Sequence, residues 1–331
     1  MDDSIEVEQI SCCICGKSET QSIASGTDRE YFTSSAVFYV VQCKQCKLLY
    51  LNPRPQANEL SKIYPSSYHS YIIDTELDSM SWLTRMRYKA HTKRFTKVLK
   101  YTQQNKKIDL LDVGCGDGWM LSLFQKTAPD RLTTYGVEIS PEVCKLAENL
   151  GHKIYCGRIE DVIFNRSFDL INYNHVIEHV SNPKEITQKS FDILKPNGIL
   201  VYETPNANTL DWFWFRKGNW GVYHFPRHWY FFTPETIRGM GEAIGFEYVD
   251  HYFHPGPTHW VWTMHNLFFQ SNNLFGRMGK RFFDPVKIFR GGVVPFCLLG
   301  FFTLLDLMLI KLSGRSSVMT VIFRKPDDVM L

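Results

Sequence analysis

The chain lacks a strong excess of either charge, an internal repeat, a low-complexity segment and an apolar run at its start. Lysine and arginine total 37 against 34 aspartate and glutamate, a formal net charge of +3. That balance leaves no polybasic footprint for a phosphate backbone, so nucleic acid is not expected as a partner. The opening residues, MDDSIEVEQI, are acidic and lack the apolar stretch of a secretory signal, so none is expected. Nine cysteines in 331 residues are too sparse for a secreted disulfide scaffold. Four of them have metal-ligand spacing, which favours a reducing, cytoplasmic setting. With 44% apolar and 21% charged residues, the chain is long enough for one large domain plus a small one.

Present instead is a run at residues 108–118, IDLLDVGCGDG. Ile108, Leu110, Leu111 and Val113 make a short apolar stretch with glycine behind it, the pattern of a buried parallel strand ending in a tight turn. Gly114, Gly116 and Gly118 alternate, and the WMLSLF that follows has helical spacing. Glycines let a ligand approach the backbone, and free N–H groups at a helix start favour a carboxylate or phosphate. Dinucleotide enzymes favour G-x-G-x-x-G at this place. This chain has G-x-G-x-G preceded by Asp112, which leaves an NAD(P)-dependent sugar oxidoreductase as a rival reading. The next apolar run, LTTYGVE, ends in Glu138, where a strand-tip carboxylate can accept both hydroxyls of a ribose.

On these residues the chain resembles the class I S-adenosylmethionine-dependent methyltransferases. Strands and helices alternate from residue 108 onward, which predicts a doubly wound parallel α/β sheet, and the resemblance implies its seven-stranded methyltransferase form. It also implies S-adenosylmethionine held by Asp112, Gly114, Gly116, Gly118, Glu138 and Ile139, with adenine bound by a backbone amide and an acidic side chain at Ile159 and Glu160. The segment NHVIEHV matches a further motif of the same enzymes. There Asn174 and His175 would flank the adenosine and methionine parts, while Glu178 and His179 orient the loop, accept a proton, or cap or pin the next helix.

Ahead of this core, Cys12 and Cys15 form one Cys-x-x-Cys pair and Cys43 and Cys46 another. Four thiolates from two tight turns make a closed tetrahedral site for a structural Zn²⁺; Cys13 is the odd member. The alternation Val37, Tyr39, Val41 predicts a hairpin strand that carries the second pair. The Cys pairs, an NPRP turn, Tyr64 and Tyr68 in front of a methyltransferase core resemble bacterial enzymes that modify sugars and cell-surface polysaccharides. The tyrosines either cover the cofactor as a lid or pack an incoming helix. The organisation expected is a zinc-ribbon-like module at 1–60, a helical linker or lid at 61–107 and a methyltransferase domain at 108–331. Within the linker, the basic stretch 82–107 reads as the solvated face of a helix rather than as a phosphate-binding surface.

Two insertions are expected in the core. The first, 205–232, is dense in aromatics and precedes a helix start, FTPET. An aromatic platform with histidines suits a ring-shaped acceptor, and a mere roof over the sheet is the alternative. A histidine near neutral pKa is the natural base for a hydroxyl, with His228 first, then His179 and His224. The second insertion, 255–316, contains 293–312, apolar apart from Asp306 and long enough to cross a bilayer. A single crossing is excluded if the flanking strands share one sheet, with 318–324 as its antiparallel edge strand. Arg277, Lys280, Arg281, Lys287 and Arg290 beside it suit a helical hairpin resting at 258–312 on an anionic membrane face. Docking on its own domain or on a second copy is the alternative, so the oligomeric state stays open. The function expected is O-methylation of a sugar or lipid-linked glycan, in the cytoplasm or peripherally on its membrane face. A quinone or other lipid acceptor and a non-catalytic zinc-ribbon scaffold are alternatives.

Overall fold

The computed structural model describes residues 5–65, 82–104, 106–271, 273–289 and 292–327; Tyr68 and Arg290 lie outside them. The chain opens with strands β1 (Val7–Glu8), β2 (Thr20–Gly26), β3 (Phe38–Cys43), β4 (Leu49–Leu51) and β5 (Arg54–Pro55). β3 pairs antiparallel with both β2 and β4, and β1 closes on β5. The hairpin strand before Cys43 is present, but its apolar alternation runs in the opposite phase from Val37 and Tyr39. Both of those are exposed, while Phe38 and Val40 point inward. An irregularity in the β2–β3 register between Ser22 and Ala24 accompanies the break in alternation that buries Val41 as well.

Two helices, α1 (Leu60–Ile63) and α2 (Trp82–Leu99), lead to the core. There β6 (Ile108–Val113), α3 (Trp119–Thr127), β7 (Leu132–Glu138), α4 (Pro141–Asn149), β8 (Lys153–Cys156), β9 (Phe168–Asn174), α5 (Pro183–Ile193) and β10 (Leu194–Pro205) alternate. Next come α6 (Leu210–Phe215), β11 (Tyr230–Phe231), α7 (Pro234–Ile244) and β12 (Glu247–His254). The chain ends with α8 (Pro257–Phe269), α9 (Leu274–Phe282), α10 (Pro285–Phe289), α11 (Val293–Ser313) and β13 (Val318–Arg324).

Seven strands form one sheet in the order β12-β13-β10-β9-β6-β7-β8. β8, β7, β6, β9 and β10 run parallel, and β13 is antiparallel to both neighbours. β13 is thus not the edge strand: β12 takes the edge. Val318, Met319, Val321, Ile322 and Phe323 are all buried, as in a strand whose sheet is covered on both faces. Helix starts follow the sequence signals. Thr233 and Thr236 form a reciprocal cap ahead of Pro234, and Asn182 caps α5.

The N-terminal strands are joined to the core through the first insertion. β11 pairs with β4, so a strand from the methyltransferase half completes a four-stranded sheet with β2 and β3. Beneath it Phe38, Leu49, Tyr173, Tyr202, Trp229 and Phe232 belong to one continuous apolar core. The join is pinned by Arg227, whose Nη1 and Nη2 donate to the two Asp28 oxygens at 3.2 and 2.8 Å with both side chains fully buried. Removing one charge from such a pair leaves the other buried without compensation. Asp28→Asn is therefore expected to lower unfolding free energy by about 3–5 kcal/mol, read by denaturant titration. Glu8→Gln, at the half-exposed partner of Arg54, should cost no more than about 1 kcal/mol.

Candidate cofactor and acceptor site

The carboxyl ends of the parallel strands converge on the alternating glycines. Gly114 and Gly118 sit at φ +71° and +84°, in the left-handed region. A Cβ on Gly114 would come within 2.5 Å of Val176, and one on Gly118 within 2.9 Å of the His152 ring. Gly116 has open space on its Cβ side, and its N–H donates to Glu138 Oε2 at 3.1 Å. Glu138 Oε1 accepts from the Ile139 and Ser140 amides at 2.9 and 3.0 Å. A carboxylate offers about four acceptor positions, so these three donors orient Glu138 toward the glycine turn and leave capacity for a further hydroxyl. Asp112 is buried behind the turn, accepting from Asn172 Nδ2 at 2.7 Å. Burial pushes its carboxyl up to about 7, against the pull of that hydrogen bond.

At the β8 end, the Gly157 amide donates to the Glu138 carbonyl at 2.8 Å, which brings the following loop beside Glu138. Ile159 is buried there, and Glu160 is held by Arg158 at 3.0 Å. Asn174 closes β9; its Oδ1 is buried and has no hydrogen-bond partner among the described residues. An orphaned acceptor beside an open glycine turn fits a donor-bearing ligand. Together with Glu138, it matches what the adenosine and methionine parts of S-adenosylmethionine need. The structure thus brings Asp112, the glycines, Glu138, Ile139, Ile159, Glu160 and Asn174 to one end of the sheet.

Next to them Glu178 is buried, its Oε1 3.1 Å from His175 Nδ1 and its Oε2 accepting from Thr204 Oγ1 at 3.0 Å. Its carbonyl accepts from the Trp229 and Tyr230 amides. Glu178 orients this loop, and the cap of α5 is left to Asn182. Burial disfavours the charged form of both partners, but the mutual contact wins: His175 is raised and Glu178 lowered from their ordinary values. His179, His228 and His224 form a row, with ring centroids 4.5 Å apart between the first two and 5.0 Å between the last two. His228 Nδ1 lies 2.6 Å from the Val222 carbonyl, which makes it the donor and leaves Nε2 as an acceptor. Burial, with the neighbouring His179, drives His228 well below the ordinary imidazole value. Tyr64 reaches His179 Nδ1 at 2.9 Å, and His224 is paired with Glu30.

The aromatic platform expected in the insertion is corrected by the structure. Trp220, Tyr223, Trp229 and Tyr230 are buried in the core shared with the N-terminal sheet, so packing, not acceptor stacking, uses their faces. Phe213 and Trp214 alone of the large rings in that stretch stay broadly exposed among the described residues. The basic face of α2 is mostly solvated, yet Arg94 turns inward, 3.4 Å from Glu203 at the end of β10, with His254 3.3 Å from the same carboxylate. Burial raises Glu203, but His254 and Arg94 together bring it well below its ordinary value. Sequence reading missed this charged cluster because its members lie on three elements far apart in the chain.

In the N-terminal sheet the Sγ atoms of Cys12 and Cys46 are 3.3 Å apart and those of Cys15 and Cys43 3.5 Å, with all four within 4.8 Å. Cys13 stands outside the group. Sulfurs at Zn–S lengths of about 2.3 Å on a tetrahedron sit at comparable separations, so the donor set fits a Zn²⁺. Cys144 and Cys156, unassigned by sequence reasoning, are joined in a disulfide, and Cys144 Sγ lies 3.3 Å from the Glu138 carbonyl. The closeness of β7, α4 and β8 brings them together. One check of the pocket is direct: Glu138→Ala is expected to weaken S-adenosylmethionine binding about ten- to a hundredfold, the loss of a charge-assisted hydrogen-bond acceptor, measured by calorimetry on protein that keeps its circular dichroism spectrum.

The family described as methyltransferase domain matches residues 83–251 of the 331. The ubiquinone biosynthesis O-methyltransferase of Idiomarina loihiensis is 28% identical over 157 residues, covering 42% of this chain and 61% of that one. The malonyl-[acyl-carrier protein] O-methyltransferase of Priestia megaterium is 30% identical over 110 residues, 32% of this chain and 40% of its own. The chain thus spans less than two thirds of the length of both. Among solved structures, coclaurine N-methyltransferase bound to N-methylheliamine and SAH aligns at TM-score 0.47 and 17% identity, covering 80% of this chain and 79% of that one. A cyclopropane synthase of Mycobacterium tuberculosis aligns at 0.46 and 14%, covering 79% and 92%. With the match running from α2 through β12, across the glycine turn, Glu138 and the histidine loop, the chain belongs to the methyltransferase-domain family.

Proposed function

We propose that the chain transfers the methyl group of S-adenosylmethionine to a hydroxyl oxygen of a sugar, carried on a lipid-linked glycan for cell-surface polysaccharide biosynthesis. The observation that carries an oxygen acceptor is the row His179–His228–His224 beside the cofactor end of the sheet. When bound, S-adenosylmethionine supplies an electrophilic methyl on a positively charged sulfur. The chain's residues must then hold the acceptor oxygen in line and take its proton. His228 fits that task, because its Nδ1–H is fixed on Val222 and its Nε2 lone pair is ready. Its low pKa keeps the ring unprotonated at neutral pH. His179 backs it, and Glu178 holds the loop in register through His175 and Thr204.

A quinone-precursor acceptor is the second reading, favoured by the printed name of the Idiomarina loihiensis relative. It shares the hydroxyl and the lipid tail and differs in the ring. Purified protein with S-adenosylmethionine, offered nucleotide sugars, polyprenyl-linked sugars and prenylated dihydroxybenzenes, separates the two by which product gains one methyl in mass. No methylated product from any arm would sink both. His228→Gln is expected to lower kcat by about a hundredfold or more with cofactor affinity unchanged. The wild-type profile of kcat/KM should hold on the acidic side through the ordinary imidazole value of about 6.5, since a depressed pKa preserves the base form there.

We assign the Cys12, Cys15, Cys43 and Cys46 group to a structural Zn²⁺. Burial pushes the Cys46 thiol up to about 11, a penalty on the thiolate that a bound cation would offset. Elemental analysis should find one zinc per chain, and Cys43→Ser should lose it together with thermal stability. A metal-free wild-type chain of unchanged melting temperature would overturn the assignment.

A further inference from the structure

The second insertion leaves two helices with naked apolar faces. On α11, Phe301, Leu304, Met308 and Leu312 are exposed at steps of three and four residues, one continuous helical stripe. Only 22% of the most apolar window of this helix is buried. Its opposite side is packed: Phe302 stacks on Trp260 at 5.9 Å, and Asp306 accepts from the Gly256 amide and Trp260 Nε1, both at 2.8 Å. On α9, Leu274, Phe275, Met278 and Phe282 are exposed on one side, with Arg277 and Arg281 beside them.

Spanning a bilayer is excluded for α11. The strands on either side of the insertion, β12 and β13, are hydrogen-bonded neighbours, and Asp306 ties the middle of the helix to the start of α8. The occupant of the exposed faces must therefore meet them from outside. Charge decides which one. Residues 271–315 contain only two acids, Asp284 and Asp306. Asp284 is paired with Lys287 and Asp306 is buried, while Arg277, Arg281, Lys311 and Arg315 are exposed. An apolar stripe bordered by cations, with no exposed acid to repel a phosphate, matches an anionic lipid headgroup layer over acyl chains. A second copy of the same face would bring cations against cations.

We propose that α9 and α11 form an interfacial platform that seats the protein on an anionic lipid bilayer, lying in its surface and not crossing it. α8, on which the packed side of α11 rests, carries His259, whose ring lies 6.3 Å from that of His175. The docking rests on the exposed faces and their charge, and not on the proposed acceptor.

The experiment is co-sedimentation of the full chain with vesicles of phosphatidylcholine alone or with phosphatidylglycerol added, in low and high salt, with the free protein's mass in solution measured alongside. Expected are binding to phosphatidylglycerol vesicles, its weakening by salt, and a monomer in solution. Arg277→Gln with Arg281→Gln, at exposed positions on α9, should weaken binding roughly thirtyfold at about 1 kcal/mol per cation. Leu304→Asp with Met308→Asp should abolish it while leaving the melting temperature within a few degrees. Absence of vesicle binding, binding indifferent to both variants, or a dimer dispersed by the Leu304→Asp and Met308→Asp pair would each overturn the proposal. None of these readouts needs turnover, so failure here and failure of the acceptor panel are told apart.

Discussion

Glu178 is the carboxylate on which the two halves of the site depend. Its side chain ties the loop after β9 to the end of β10 through His175 and Thr204, and its carbonyl receives the amides that launch β11. β11 in turn completes the N-terminal sheet through β4. One buried residue thus links the cofactor end of the sheet, the histidine row and the cysteine-bearing strands. A buried carboxylate is tolerated here because its two oxygens have partners and His175 shares its charge.

The same arrangement supports the cysteine-bearing strands. β2, β3 and β4 make three strands of the N-terminal sheet, and β11 adds the fourth. They gain this fourth strand, a common core and the buried Arg227–Asp28 pair from the insertion, and the four cysteine sulfurs gather in the same sheet. The same join places Glu30 behind His224 and so fixes the outer member of the histidine row. The N-terminal sheet therefore acts on the site by position, through side chains that it presses against the insertion.

Charge is distributed to match. Around Glu203 the attraction of His254 and Arg94 outweighs the cost of burial, so its carboxylate stays ionised at this end of the sheet. His228 and His179 are both held below the ordinary value by burial.

The sequence alone determined the strand–turn–helix at 108–118, Glu138 at the next strand tip, the two cysteine pairs and the order of alternating elements. These are local patterns: a period, a glycine spacing, a pair of ligands on one turn, each dictated by neighbours within a few residues. It also marked the row His179, His228 and His224, though not that they touch. What only the tertiary structure decided depends on contacts across long stretches of chain. It moved β13 inside the sheet and β12 to the edge, because a strand's neighbours are set by topology and not by its own composition. It buried the aromatic rings of the insertion by laying a second sheet over them, and it turned Arg94 off a basic helix face onto Glu203. It also joined Cys144 to Cys156 and left α11 half covered. Periodicity can tell that a face is apolar, but only packing decides whether anything meets it.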